Sequence, residues 1–250
     1  MVKVSGFSTL IIAGISMLVL KESKKWKQSN SDPIQRQIKR ESIFAAQYRT
    51  NLLMGSVIFG TMLIGMWAIF SWIPTWIQSI IINSDGQKER GVSMMMLGMG
   101  GLIGGFISGW FINTIGLRKS MLLCFSVCLL FSFLLFKINS GLSSLIYMEI
   151  AVMALFFGIS QGVLSVYIPL LFPIRVRGTA TGFCFNIGRI FTAAAVLFVG
   201  VLVTILGGYS NSLFLFSLVF LVGLTVTFFS KETIPAEKVE VDTTLFIHKS

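Results

Sequence analysis

The sequence predicts an all-α membrane protein, and three observations carry that prediction. Of 250 residues, 54% are hydrophobic and only 12% charged, with a mean hydropathy of +0.84. That much apolar surface exceeds what one soluble core can hide while so little polar surface covers it. The apolar residues gather in runs of about 20, the length that spans a bilayer core. Their periods are helical, and the runs are far longer than the roughly ten-residue strands of a membrane barrel.

In chain order the runs are 4–20, 52–82, 92–114, 120–138, 142–172, 178–206 and 211–230. The first, within "MVKVSGFSTLIIAGISMLVL", has the basic residue and apolar centre of a secretory signal, but no small-residue cleavage site precedes "KESKKWKQ". Dense positive charge follows this run, so it reads as a transmembrane helix, 1–20, that enters the cytoplasm at its C-terminal end. Residues 21–51 form the one long polar connection, a cytoplasmic central loop. Residues 52–230 carry six further spans with brief loops, and 231–250 form a cytoplasmic tail of mixed charge. The single histidine, His248, is an exposed bystander in that tail.

A net charge of +10 and a pI near 9.8 would suggest a nucleic-acid partner in a soluble chain. Here fifteen of the twenty lysines and arginines lie on the side of the 21–51 segment, four lie opposite, and Arg189 stands inside a run. This is the positive-inside pattern, so the basic residues set topology and no nucleic acid is implied. The expected location is a plasma (inner) membrane, multi-pass, with a cytoplasmic carboxy-terminus and Met1 outside. An outside start without a signal is awkward for a complete protein.

Chemistry-bearing clusters are scarce. Cys124, Cys128 and Cys184 all lie in apolar runs and read as small hydrophobes rather than a disulfide framework or metal site. Paired carboxylates, a histidine within a span and a metal-ligand cluster are all missing from the sequence, so an enzyme is not expected and no cofactor is implied. "GMGGLIGG" lacks the spacing of a dinucleotide loop. Its glycines, with Gly109, read as a close-packing helix face.

Apart from Lys137 at the end of the fourth run, two charges lie inside apolar runs, the base Arg189 and the acid Glu149. Each costs about 2.5–3.5 kcal/mol at bilayer depth on insertion scales, so each is expected to face the bundle interior or water. Arg189 falls roughly 16 Å from the cytoplasmic start of its run and Glu149 roughly 10 Å from the opposite side, depths close enough to meet. Gly182, Asn186 and Arg189 recur at four- and three-residue spacing and share one face. One reading makes Arg189 the bidentate partner of an anionic solute and Glu149 the group that loses and regains a proton. The other pairs them with each other, or lets Glu149 reach the outer headgroups. Trp72 and Gln78, near Pro74, are candidates to line a cavity, whereas Trp76 reads as an interface anchor. Gln161 and Tyr167 serve either a solute or interhelical hydrogen bonding.

Several short motifs carry a family resemblance. "KESKKW" closing the first span, "RVRGT" opening the sixth and "SKET" closing the last resemble loop signatures of the sugar-and-other-solute branch of the major facilitator superfamily. "GWFINTIGLRKS" is similar to that superfamily's loop motif, with Gly109, Gly116, Arg118 and Lys119 in register and Asn113 where the acid stands. The resemblance implies a gating role for these five residues and for Arg175 and Arg177. It also implies that the seven spans match the sixth to twelfth helices of a twelve-helix carrier. The fold expected is then one preceding transmembrane helix and a carboxy-terminal six-helix bundle of two inverted three-helix repeats, 52–138 and 142–230. "SWIPTW" and "GFCFNIGR" look most like proton-coupled carriers of organic acids.

The implied function is a secondary active transporter, here a partial carboxy-terminal half, that moves a small organic anion or sugar-like solute with protons by alternating access. Its implied partners are the solute, the coupling proton, the lipid bilayer, and a missing amino-terminal half or a second copy. The alternative is a non-transporting membrane remnant or an interaction subunit of a split transporter.

Overall fold

The computed structural model describes residues 42–81, 85–139 and 141–230. The expected first transmembrane helix, the central loop up to 41 and the tail 231–250 lie outside the described residues. What is described is helical, with six helices long and apolar enough to cross a membrane. These are α1 (Ala46–Ile80), α2 (Gln87–Ile115), α3 (Leu117–Phe133, ending in a π-helical turn Leu134–Ile138), α4 (Ser144–Leu170) and α5 (Ile174–Ile205), followed by a sixth span broken at Leu218 into α6 (Tyr209–Ser217) and α7 (Val219–Phe229).

The helix ends depart from the apolar runs where local chemistry outweighs hydropathy. α1 begins at Ala46, inside the expected central loop, where the polar residues Gln47, Arg49 and Asn51 continue the helix ahead of the apolar run. α2 begins at Gln87 rather than 92, where the Asp85 carboxylate accepts the Gln87 N–H at 3.0 Å and Glu89 sits in the positive first turn. α5 begins at Ile174, directly after Pro173, whose fixed φ suits a helix entry. The α2–α3 connection is the single residue Gly116 at φ +84, a left-handed conformation that a side chain would oppose.

Packing follows the glycines. Without water to drive helices together in lipid, close van der Waals contact must do so, and small residues permit it. α2 lies against α4 so closely that a Cβ on Gly104 would sit 2.0 Å from the Leu155 carbonyl oxygen, and one on Gly158 would sit 2.1 Å from that of Gly101. α1 crosses α5 at Gly60 and Gly188, where a Cβ on Gly188 would come within 3.2 Å of the Gly60 Cα. The expected glycine face of α2 therefore divides. Gly100 and Gly104 are pressed on α4, whereas Gly98, Gly105 and Gly109 face open space.

The second helix of the first triplet pairs with the first helix of the second, and the reverse holds for α1 with α5. Such reciprocity is what two inverted triplets produce. It puts α1 and α4 at the centre, with 67% and 56% of their most apolar stretches buried, and leaves α2 and α5 on the flanks, with 22% and 17%. The core between them is filled by Phe125, Phe157 and Phe220, with Trp76 and Tyr167 also fully buried.

Candidate functional site

A cleft of about 690 Å³ opens between the middle of α1, α4 and α5. α1 contributes Phe59, Leu63, Met66, Trp67 and Ser71; α4 contributes Gln161, Leu164 and Ser165; α5 contributes Phe185, Arg189, Thr192, Ala193 and Val196. The volume lies in the range of small-molecule sites. Phe59 and Phe185 stack at 4.4 Å between ring centroids with planes 20° apart, forming a flat aromatic wall.

The polar groups of this cleft sort into spent and unspent. Thr192 Oγ1 donates to the Gly188 carbonyl at 2.8 Å and Ser165 Oγ to that of Gly162 at 2.7 Å, so both hydroxyl protons serve their own helices. Arg189, exposed and midway along α5, makes no hydrogen bond or ion pair among the described residues. Gln161 Nε2 is buried and likewise without a partner there. Five guanidinium donors thus meet an acid-free, largely apolar hollow, with the Gln161 amide nitrogen buried in its wall. One guanidinium fork has the geometry to hold one carboxylate.

The remaining candidates lie elsewhere. Glu149 is half-buried near the start of α4, where its Oε2 accepts Asn139 Nδ2 at 2.7 Å; it neither meets Arg189 nor lines the cleft. Asn186 is exposed on α5 and donates to the Gly182 carbonyl at 2.9 Å, off the face that carries Arg189 into the hollow. Tyr167 is buried, its hydroxyl 2.8 Å from Ser230 Oγ, so it ties α4 to the end of α7. Trp72 packs on Tyr209 with ring centroids 5.9 Å apart, and Gln78 holds a buried Oε1 beside Gly86. Trp76, expected as an interface anchor, is instead fully buried, with Nε1 donating to Ser210 Oγ at 2.8 Å and its ring edge-on to Phe136. The bundle interior accommodates it because Ser210 answers its one polar atom.

The residues of the loop motifs also have definite places. Gly109, Asn113 and Lys119 are exposed, and Gly116 makes the left-handed turn. Arg118 donates from Nε to the Thr227 carbonyl at 3.2 Å and from Nη2 to that of Phe228, capping the negative end of α7. Arg177 Nε donates to the Phe172 carbonyl at 3.1 Å, and Arg175 is exposed at the same turn of α5.

Sequence reasoning grouped Trp67 with Trp72 and Gln78 as loose support for a pocket, and passed over Phe59, Met66, Ser71, Ser165, Phe185 and Thr192. A signal for part of this set was present, since Phe185, Arg189, Thr192 and Val196 recur at helical spacing and lie on one face.

These features define a helical membrane bundle whose midway cleft holds one cation without a partner among the described residues. The family model described as Major Facilitator Superfamily matches residues 4–196, and the chain belongs to that superfamily. It is 28% identical over 181 residues to a probable 4-methylmuconolactone transporter of Cupriavidus pinatubonensis, covering 71% of this chain and 40% of that protein. It is 24% identical over 201 residues to a cis,cis-muconate transport protein of Acinetobacter baylyi, covering 77% of this chain and 47% of the other. The chain thus spans less than half the length of these curated relatives.

Proposed function

We propose that this chain supplies one side of the solute pathway of a secondary active transporter that moves a small organic anion by alternating access. The observation that carries this reading is the unpaired Arg189 in an acid-free hollow beside the unpartnered Gln161 amide. A guanidinium fork holds a carboxylate through two parallel hydrogen bonds, and the Phe59–Phe185 wall suits a flat, unsaturated carbon skeleton. The printed names of the relatives, a muconolactone and a muconate transporter, agree with such a solute.

Alternating access needs a second bundle on the open side of the cleft, and an amino-terminal half or a second copy of this chain would supply it. The weakly buried flanks of α2 and α5, with Met99, Leu102, Phe106, Leu197 and Phe198 exposed, offer it apolar surface. We assign proton coupling to Glu149, the one acid within a span beyond its first turn, acting from the Asn139 end of the bundle rather than from the cleft. The basic end, bearing Arg118, Arg175 and Arg177, is assigned to the cytoplasm by its charge.

Binding tests the proposal. Purified chain in lipid nanodiscs is titrated with cis,cis-muconate while the fluorescence of Trp67, which lines the cleft, is followed. Saturable quenching that Arg189→Gln removes is the expected result. Equal quenching in both, or none in either, contradicts it, and the latter favours the non-transporting alternative.

A further inference from the structure

We propose that a second hollow, between α1, α5 and α7, is a binding groove for an anionic phospholipid, with Arg49 holding the headgroup and one acyl chain lying along α1. This hollow has a volume of about 510 Å³ and shares no lining residue with the solute cleft. Its walls are apolar, with Leu53, Val57, Ile64, Ile187, Phe191 and Val222 among them, and Arg49 stands at one end as its only charge.

Three features fix the occupant. The first is depth. Arg49 lies one turn into α1, at the basic end of the bundle, and α1 has 35 residues, roughly 52 Å of helix against a hydrocarbon core of about 30 Å. That end of α1 therefore emerges at headgroup level. The second is length. From Arg49 to Ile64 the helix rises roughly 22 Å, about half of the 40–45 Å between the two headgroup surfaces. The groove is one leaflet deep, and it continues past Ile64 into a smaller hollow of about 240 Å³ lined by Leu202, Leu215, Phe216 and Val219.

The third feature is charge. Arg49 Nε donates to the Phe44 carbonyl at 3.0 Å, which aims the side chain, and the two terminal nitrogens make no further hydrogen bond or ion pair among the described residues. A fork of this kind matches a phosphate. The trough itself exists because α1 and α5 meet at Gly60 and Gly188, so no side chain rises from the crossing to fill it. Leu53 and Phe191, 68% and 61% exposed, form its rims.

Native mass spectrometry of the purified chain, offered phosphatidylglycerol or phosphatidylcholine of identical acyl chains, tests the proposal. Wild type retains phosphatidylglycerol in preference, Arg49→Gln lowers that adduct about fivefold, and Lys119→Gln, at the same end, leaves it unchanged. Val57→Trp fills the trough and lowers both lipid adducts, and glycerophosphate alone does not displace the lipid. Helical circular dichroism and monodisperse elution qualify each variant; should Arg49→Gln fail them, loss of adducts in Val57→Trp with retention in Arg49→Lys gives the same answer. Equal retention of the two lipids, the same loss in Lys119→Gln, or displacement by glycerophosphate overturns the proposal. So does indifference to every variant.

Discussion

Arg118 and Arg189 carry the same side chain into two different regions of the bundle. At the basic end, Arg118 donates hydrogen bonds to the carbonyls of Thr227 and Phe228 and lies 6.0 Å from the Phe228 ring centroid, so its charge closes a helix terminus. Midway along α5, Arg189 has no partner among the described residues and faces a hollow. The opposite end of the bundle resembles the first case: Lys137 Nζ donates to Asn211 Oδ1 at 2.8 Å, and Glu149 accepts from Asn139. Arg118, Lys137 and Glu149, near the ends of the spans, hold neighbouring elements together, whereas Arg189, in the middle of one, has no such partner among the described residues. A cation within an apolar span is costly, so the contrast is the one on which the proposed anion site rests.

The predictions press on this contrast, beginning with the largest effect. Replacing Arg189 with Gln removes the only charge of the cleft and should weaken carboxylate binding about 100-fold, the scale of a lost charge-assisted pair, with the unfolding temperature unchanged. Affinity from a muconate titration and thermal unfolding of the same samples check both halves. The converse change, Arg118→Gln, should cost about 1–2 kcal/mol of stability and leave affinity alone. If both substitutions lowered stability equally and neither touched binding, the distinction between the two regions would be gone.

Gln161→Leu should reduce affinity by no more than about tenfold, the scale of one neutral hydrogen bond, because the amide nitrogen is buried in the cleft wall and must turn to reach a solute. Gln161→Glu sharpens the point, since a carboxylate beside Arg189 would pair with it and expel the anion more completely than Leu does. The smallest effect on binding belongs to Glu149→Gln, which keeps an oxygen for Asn139 and should leave affinity within about twofold of wild type. Its signature lies instead in proton-driven uptake by the chain together with its partner bundle, whose dependence on a pH gradient should disappear.

Much of the fold was legible because lipid imposes one rule on every span, and runs of apolar residues report it directly. The ends were less so. Asp85, Pro173 and the turn before Ala46 set helix starts through local backbone geometry that hydropathy does not register. Arg189 was legible for the opposite reason, since a cation in an apolar run stands out by its cost. Its surroundings were not, because depth along a helix says nothing of azimuth. Glu149 and Arg189 were placed at similar depths, yet Glu149 turns to Asn139 and the cleft is completed by apolar residues that look like any other core. Trp76 misled for a related reason, as a partner in another helix, Ser210, is invisible to local pattern.

The central claim is that position 189 faces an aqueous cleft. In an Arg189→Cys variant the native thiols of Cys124, Cys128 and Cys184 are buried, so one introduced sulfur reports its surroundings. The account predicts rapid modification by a charged, water-soluble methanethiosulfonate reagent added to protein in sealed lipid vesicles or nanodiscs, with the wild type unreactive. Modification by a lipid-soluble maleimide alone would place the residue against acyl chains and contradict the account.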